Sequence, residues 1–262
     1  MEIKYTLLGA LIYGTMLAYL VALLLRILGR RRSAWAVYAV GFAISVASLV
    51  HQGTSAGHLP LSNLFEVCLF MGMAVLPLSL LCRRMGVGIE GGDMLLGAIV
   101  LFPAAFIFDA AAKPLMPALQ SDLFLPHVAA YMLSYVILAK AAIQAGAQLI
   151  LGDRPLEDSH VSLERATYRT VALGFPLLTV GLILGAWWGK RAWGDWWNWD
   201  PKEMWGLASW LAYAFYLHHR RTFGRRWPKI NAALALLGVT LIIITLLWVN
   251  LSRLFKGMHS YA

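Results

Sequence analysis

The sequence is poor in charge. Asp, Glu, Lys and Arg make up only 13% of its 262 residues, whereas a soluble domain carries about 25%. Hydrophobic residues make up 60%, and the mean hydropathy is +0.67. This composition excludes an ordinary soluble domain and indicates that most of the chain lies in a membrane.

Cysteine is also scarce. Cys68 and Cys82, the two cysteines of the chain, fall on one predicted helix and are separated by ~21 Å at the rise of an α-helix. That distance excludes a disulfide between them. Because the chain has no C-x-x-C pair, thiol–disulfide exchange is not its own chemistry. We expect both cysteines to be packing residues.

Apolar runs near the ~20 residues that span a bilayer recur along the whole chain. There are eight of them, at 4–26, 34–52, 64–82, 93–110, 126–150, 170–188, 202–219 and 230–251. None shows the alternation of a membrane β-barrel. The first is too long for the apolar region of a signal peptide and lacks a small-residue cleavage site, so we count it as a span. The sequence therefore predicts an all-α polytopic membrane bundle of about eight transmembrane helices, forming a single domain over residues 1–262.

The positive charge is unevenly distributed between the connecting segments. Arginine-rich connections follow the odd-numbered runs, as in RILGRRRS, CRRMG, GDRPLEDSHVSLERATYRT and HRRTFGRRWPK. Under the positive-inside rule these segments face the cytoplasm, so both termini face outward. Lys190, Arg191 and Lys202 are exceptions, because they lie in an outward segment. The net charge of +9 thus indicates membrane orientation rather than nucleic-acid binding.

Tryptophan is concentrated in one outward segment, residues 187–205, which includes WGDWWNWDPKEMW. The segment holds Trp187, Trp188, Trp193, Trp196, Trp197, Trp199 and Trp205. An interfacial aromatic belt explains one or two tryptophans at a helix end. Gly189 and Gly194 suggest a backbone shaped to bring rings close to a partner. We expect a stacking surface for a large flat or amphipathic group such as a porphyrin, quinone, sugar or lipid headgroup.

The pattern at the end of this segment also predicts the start of a helix. Asp200 fits an N-cap, Pro201 the first helical position, and Glu203 the acid of a capping box. Asp200 and Glu203 therefore have two open interpretations, as caps or as groups that face a ligand.

The positions of the histidines bear on which of these partners the tryptophan segment binds. His127 opens the fifth run and His259 lies in the C-terminal tail, both on the predicted side of the tryptophan segment. Two imidazoles beside an aromatic surface are what a bis-ligated haem iron needs. His218 ends the seventh run, ~22 Å from Glu203 along a helix, and therefore belongs to a second position near the cytoplasm. The adjacent His219 is expected to belong to the basic cap of that helix.

The string WGDWWNWDPKEMWGLASWLAYAFYLHHR resembles the tryptophan-rich WWD signature of haem-handling proteins in cytochrome c maturation. The similarity is to the CcsA/ResC family of the system II pathway and covers nearly the whole chain. HLPLSNLFEVCLF, residues 58–70, and the terminal MHSYA are similar to further family segments. The resemblance implies a multi-pass protein of the bacterial inner membrane, with the tryptophan segment facing the periplasm.

The resemblance also implies roles for individual residues. His127 and His259 correspond to the outer haem ligands and His218 to a membrane ligand, whose counterpart comes from a CcsB/ResB-type partner. The expected substrate is haem b, presented to apocytochrome c within a holocytochrome c synthase complex, with a separate partner reducing the thiols. The expected haem contacts in the tryptophan segment are Trp193, Trp196, Trp197, Trp199, Asp200 and Trp205.

Three alternatives remain open. A CcmC-type protein of system I shares the WWD segment but typically has six spans and would lack the first two here. A membrane electron carrier with two b haems would need histidine pairs deep in the membrane. A non-haem lipid or glycan transferase would need outward carboxylates or a metal cluster, and outward acids are sparse.

Overall fold

The structure is a computed structural model that describes residues 3–156 and 159–251. Its helices are α1 Leu7–Ile27, α2 Arg31–Ala56, α3 Leu64–Arg84, α4 Glu90–Phe106, α5 Phe124–Leu151, α6 Leu163–Trp193, α7 Pro201–Phe223 and α8 Pro228–Ile243. A π-helical segment, Ile244–Trp248, and a last turn, Val249–Leu251, continue α8. Within the described ranges the only β-type pairing is an isolated bridge between Pro155 and Ser162. The predicted all-α class is confirmed.

Among the residues that the structure describes, six helices are long and apolar enough to cross a membrane. They are α1, α2, α3, α5, α6 and the continuous stretch Pro228–Leu251. α4 has only 17 residues, and α7 carries Lys202 and Glu203 in its first turn and Arg220 and Arg221 in its last turn. The chain is therefore a multi-pass membrane protein, while the number of eight spans and the sides of the termini stay predictions.

The chain divides into two compact units. Unit 1 comprises residues 1–81 and 89–120, and unit 2 comprises residues 82–88 and 121–262. Unit 1 thus contains α1, α2, α4 and most of α3, and unit 2 contains α5 to α8. The single membrane domain expected from the sequence stays a prediction.

Tyr19 of α1 joins the helices of unit 1. Its ring fills the space left by two glycines, since a Cβ would lie 2.8 Å from the ring at Gly41 of α2 and 2.5 Å from it at Gly97 of α4. Its hydroxyl donates to the carbonyl oxygen of Gly72 on α3, at 3.1 Å. Small residues at helix crossings let helices approach closely in membranes, and here they accommodate one large ring.

The sequence PLSN, residues 60–63 of unit 1, forms the cap of helix α3. The Asn63 side chain accepts from the backbone N–H of Glu66 at 3.0 Å, at the start of α3. The buried Glu66 carboxylate accepts in return from the N–H and hydroxyl of Ser62, both at 2.8 Å, and from Gln52 of α2 at 3.2 Å. This reciprocal capping gives the motif a structural role within unit 1.

Antiparallel packing of α5 on α6 forms the core of unit 2. Gly174 of α6 faces Leu138 of α5, and Gly181 faces the ring of Tyr131, with Cβ positions that would lie 3.0 and 2.9 Å from these side chains. Ser134 donates to the carbonyl oxygen of Gly174 at 2.9 Å. This register brings the start of α5 beside the end of α6.

The remaining helices of unit 2 pack by similar contacts. Tyr213 of α7 fits against Gly238 of α8, where a Cβ would lie 2.5 Å from the ring. Trp210 of α7 donates to Thr179 of α6 at 2.9 Å. Unit 2 consequently has two ends: the tryptophan end, where α6 ends and α5 and α7 begin, and the arginine end, where α5 and α7 end and α6 and α8 begin.

Candidate functional site

His127 occupies the first turn of α5 at the tryptophan end, where it is half-buried. Its Nδ1 lies 2.8 Å from the carbonyl oxygen of Gly181 on α6. Its ring stacks on Trp188, with centroids 5.8 Å apart and planes inclined by 18°, and meets Tyr131 edge-on at 5.1 Å. A carbonyl oxygen only accepts, so Nδ1 carries the proton of the neutral ring and the lone pair lies on Nε2.

Gly185 makes room for this imidazole. A Cβ at position 185 would lie 2.5 Å from Cε1 of His127 and 2.9 Å from its Nδ1, closer than atoms pack. Sequence reasoning missed this residue. The signal that could have found it is the spacing of Gly174, Gly181 and Gly185, which places three small residues on one face of a helix.

Three tryptophans of the segment 187–205 belong to α6 itself, namely Trp187, Trp188 and Trp193. This helix continues five residues beyond its predicted end at 188, to Trp193, and Gly194 caps it at φ +92°. Trp188 is 1% exposed, and its ring meets Trp193 at 4.7 Å and Phe124 of α5 at 5.7 Å. Trp188 and Trp193 thus form the packed base of the tryptophan end.

Other tryptophans present their rings to the surroundings. Trp196 is 56% exposed and Trp199 is 68% exposed, while Trp197 and Trp205 are partly buried. Trp199 has φ +56°, and no other non-glycine residue in the described ranges has a positive φ. A bulky residue in the left-handed region is strained, and such strain often occurs at ligand sites.

The capping prediction for α7 is confirmed. Asp200 is buried and accepts from the N–H of Lys202 at 3.0 Å. Glu203 accepts from the N–H of Asn198 at 2.8 Å and from that of Asp200 at 3.2 Å, which completes a capping box with Pro201 in the first turn. Both acids therefore hold the connection after Trp193 in shape. A contact between Asp200 and haem stays a prediction.

The three cations of the segment 187–205 contact the chain itself. Lys190 donates to the main chain at the end of α6. Arg191 lies over the ring of Trp187, 5.4 Å from its centroid, within cation–π range. Lys202 donates to Asn250 at 2.7 Å and so ties the start of α7 to the last turn after α8. These contacts order the tryptophan end.

The other predicted iron ligands are placed differently. His218 lies exposed near the end of α7, whereas His219 is partly buried with its Nδ1 2.9 Å from Oδ1 of Asn231. The contact with α8 supports the structural role expected for His219. His218 and Glu203 share one helix, so the predicted ~22 Å between them holds for their positions along its axis. His259 lies outside the described residues.

A network of charged groups closes the arginine end. The buried Glu164 of α6 pairs with Arg220 of α7, with Nη2 3.0 Å from Oε2, and accepts from Asn231 of α8 at 3.0 Å. Arg225 lies 3.5 Å from the same carboxylate and donates to Asp153, before α6, at 2.7 Å. This network joins α6, α7, α8 and the α5–α6 connection. Sequence reasoning assigned these arginines to orientation and missed their pairing.

Packed apolar helices with an aromatic surface around one imidazole define a polytopic helical membrane protein with a candidate binding site at one end. The family described as cytochrome C assembly protein matches residues 8–259. The chain therefore belongs to the cytochrome c assembly family.

Several similar proteins carry the name cytochrome c biogenesis protein CcsA. The one from Chlamydomonas reinhardtii is 36% identical over 234 residues, which are 82% of this chain and 64% of that protein. The one from Synechococcus sp. (strain CC9902) is 34% identical over 261 residues, 85% of this chain and 84% of that protein. This chain thus spans less than two thirds of the algal relative.

The fold is similar to a solved structure of cytochrome c heme lyase CcmF. The TM-score is 0.64 at 21% sequence identity, and the match covers 92% of this chain and 48% of that chain. At this identity the likeness concerns the fold alone.

Proposed function

We propose that this chain acts in cytochrome c biogenesis, where it binds haem at the tryptophan end and presents it for covalent attachment to apocytochrome c. Membership of the cytochrome c assembly family and relatives named CcsA support the general role. The observation that carries the haem assignment is the placement of His127 on Trp188, with Nδ1 against the carbonyl oxygen of Gly181.

The placement of His127 suits an axial iron ligand. Metal-ligating histidines usually donate their second ring N–H to a carbonyl oxygen or carboxylate, which orients the ring and raises its basicity. Gly181 supplies that carbonyl oxygen, and Trp188 and Gly185 define the plane of the ring. Nε2 is then the nitrogen that would ligate iron.

The exposed tryptophans suit the porphyrin. Flat indole surfaces stack on flat conjugated rings, and Trp196 and Trp199 are the most exposed indoles of the segment. The capping box of α7 fixes the backbone on which Trp199 is held at positive φ. Trp193, Trp197 and Trp205 complete the aromatic surroundings.

Two further ligands follow from the family resemblance. His259 would fill the second axial position at the tryptophan end. His218 would ligate haem at the arginine end, where a CcsB/ResB-type partner would supply the other histidine; its exposure on α7 suits a ligand shared with another protein. The arginine-rich connections favour a cytoplasmic arginine end and a periplasmic tryptophan end in a bacterial inner membrane.

The reaction that follows places little chemical demand on this chain. Each thiol of apocytochrome c adds to a haem vinyl group and forms a thioether, with the thiols kept reduced by another protein. The nucleophile is therefore the substrate's own sulfur. The contribution of this chain is to hold haem with its vinyl groups in reach, as part of a holocytochrome c synthase complex, while haem carries the reactivity.

Deletion of the gene tests this function. We expect loss of c-type cytochromes and retention of b-type cytochromes in difference spectra of membranes. The wild-type chain and His160→Ala should restore c-type cytochromes, because His160 is an exposed residue outside the site. Loss of both classes would favour a role in haem supply or electron transfer, and retention of c-type cytochromes would refute the proposal.

A further inference from the structure

A set of buried polar side chains crosses unit 2 near the arginine end, and the proposed function does not use it. It consists of Gln144 and Gln148 on α5, Thr170 on α6 and Tyr216 on α7, all buried. Each has one side-chain oxygen without a hydrogen-bonding partner among the described atoms. We call these four residues the polar layer.

The orientation of the two glutamines is set by their neighbours. Nε2 of Gln144 donates to the carbonyl oxygen of Val87 at 2.7 Å, and Nε2 of Gln148 donates to that of Pro228 at 2.8 Å. A carbonyl oxygen cannot donate, so neither amide group can be flipped. The unpartnered atom of each glutamine is therefore its oxygen.

The helix register brings Gln144, Thr170 and Tyr216 to similar levels along the helix axes. Leu138 of α5 faces Gly174 of α6, and each step along α5 matches a step back along its antiparallel neighbour. Gln144 thus lies level with Tyr168, two residues from Thr170. The guanidinium of Arg220 lies over the ring of Tyr168, and Tyr216 is one turn from Arg220 toward the tryptophan end. Three members therefore lie within about one turn, ~5 Å, of each other along the axis.

Gln148 extends the layer toward the arginine end. It lies one turn beyond Gln144 on α5 and bonds to the first residue of α8. By the same register it is level with Glu164, whose partners Arg220 and Arg225 reach the surface. The layer is therefore continuous with the end of unit 2 that carries the charged network.

We propose that the polar layer is an internal water-binding site that opens at the arginine end. Buried polar groups are satisfied by protein or by ordered water, and within a membrane bundle the lipid supplies no partner. The two amide oxygens need donors, and the two hydroxyls donate or accept. Water matches both needs, whereas an anion would be repelled by the amide oxygens. Lys140, fully buried one turn from Gln144, gains a more polar surrounding from this hydration.

X-ray pulse labelling of the purified, folded chain tests the site, because hydroxyl radicals formed from bound water oxidise adjacent buried side chains. Tyr213 is the matched control, since it lies on α7 one turn away, is equally buried, and has its hydroxyl bonded to the carbonyl oxygen of Ala235. We expect Tyr216 to be labelled at least several-fold faster than Tyr213. Equal rates would overturn the proposal.

A double variant, Gln144→Leu with Thr170→Val, tests whether the layer itself holds the water. The labelling rate of Tyr216 should fall to that of Tyr213 in protein that elutes as folded by size exclusion. If Tyr216 is still labelled rapidly, the water is held elsewhere and the assignment to this layer is wrong. Haem content does not enter either measurement, so the outcome is independent of the proposed function.

Discussion

The two ends of unit 2 are formed by the same helices, but their side chains differ in burial and pairing. At the arginine end, Glu164 is buried and bound by Arg220 and Asn231. At the tryptophan end, Trp196 and Trp199 are exposed, and Trp199 has an unfavourable backbone conformation. The arginine end has the features of a structural joint, and the tryptophan end has those of a binding surface.

This difference predicts that the two ends fail differently when they are altered. Removing one partner of a buried ion pair leaves an uncompensated charge and destabilises the fold. Removing an exposed indole is expected to leave the fold intact and to remove the proposed contact with haem. Stability and haem content, measured on the same variants, therefore separate the two ends.

The largest effect on stability is expected at the arginine end. Arg220→Ala leaves the buried Glu164 carboxylate with Asn231 and the partly exposed Arg225 as its remaining partners, and loss of one partner of a buried pair costs up to about 3–5 kcal/mol. Thermal unfolding in detergent should show this loss, while haem per folded molecule stays unchanged. Arg191→Ala, which removes the cation over Trp187, is the control and should scarcely alter stability. Equal losses in the two variants would remove the distinction between the ends.

Gly185→Ala should disturb the tryptophan end without touching a charge. The new Cβ would lie 2.5 Å from Cε1 of His127, so the imidazole must shift from its position, and overpacking of this kind costs about 1–3 kcal/mol. We expect haem content to fall about tenfold.

Gly189→Ala is the matched control for this variant. A Cβ at that position would meet its nearest atom only at 3.5 Å, which is an ordinary contact. The variant should keep its haem. If both alanine variants retain haem equally, the position of the His127 ring does not matter for binding.

Exposed tryptophans should give smaller, graded effects. An aromatic pair contributes about 0.5–1.5 kcal/mol beyond area burial, so Trp196→Ala and Trp199→Ala should each weaken haem retention about 2–10-fold and leave the melting temperature unchanged. Trp188→Ala should instead destabilise the chain, because this ring is buried against Phe124 and His127. Full haem content in the double variant Trp196→Ala with Trp199→Ala would indicate that the segment is an ordinary aromatic belt.

The smallest expected effect is the pH-dependent contribution of Asp153 to the stability of the fold. Burial alone would raise the pKa of Asp153, but hydrogen bonds from the Glu164 N–H and from Arg225 outweigh it, so the pKa lies below its ordinary value of 3.8. The stabilisation is present above that value and is lost as pH falls through the lowered pKa. A partly exposed pair contributes at most about 1 kcal/mol.

Asp153→Asn should therefore lower stability slightly at neutral pH. It should also flatten the acid limb of the stability curve measured by thermal unfolding. If stability at acid pH depends on pH as in the wild type, Asp153 contributes nothing to the charged network at the arginine end.

Local rules predicted part of this structure well. Asp200, Pro201 and Glu203 read as a helix start, and they form one, because capping involves neighbours in sequence. The bounds of α6 were less accurate. Hydropathy predicts a start at 170, but the helix begins at Leu163, because hydropathy detects the apolar run and not the charged first turns that precede it. The buried Glu164 in those turns pairs with Arg220 of α7, a partner that sequence patterns do not reveal.

The residue types of the candidate site could be predicted from the sequence. The residues that hold the imidazole in position could not. The sequence indicates His127 and the tryptophans, because histidine and clustered indoles are rare in membrane helices. It does not indicate that Gly181 and Gly185 hold the imidazole, since that contact depends on the register of α5 against α6. Ligation by His127, His218 and His259 stays a prediction.

The most direct measurement is the haem content of His127→Ala, taken as Soret absorbance per folded protein, beside His160→Ala as the matched control. Binding at the tryptophan end predicts that His127→Ala loses most of its haem and that added imidazole, which can take the vacated position on iron, restores part of it. His160→Ala should match the wild type. Full haem in His127→Ala, or the same loss in both variants, would contradict binding at the tryptophan end.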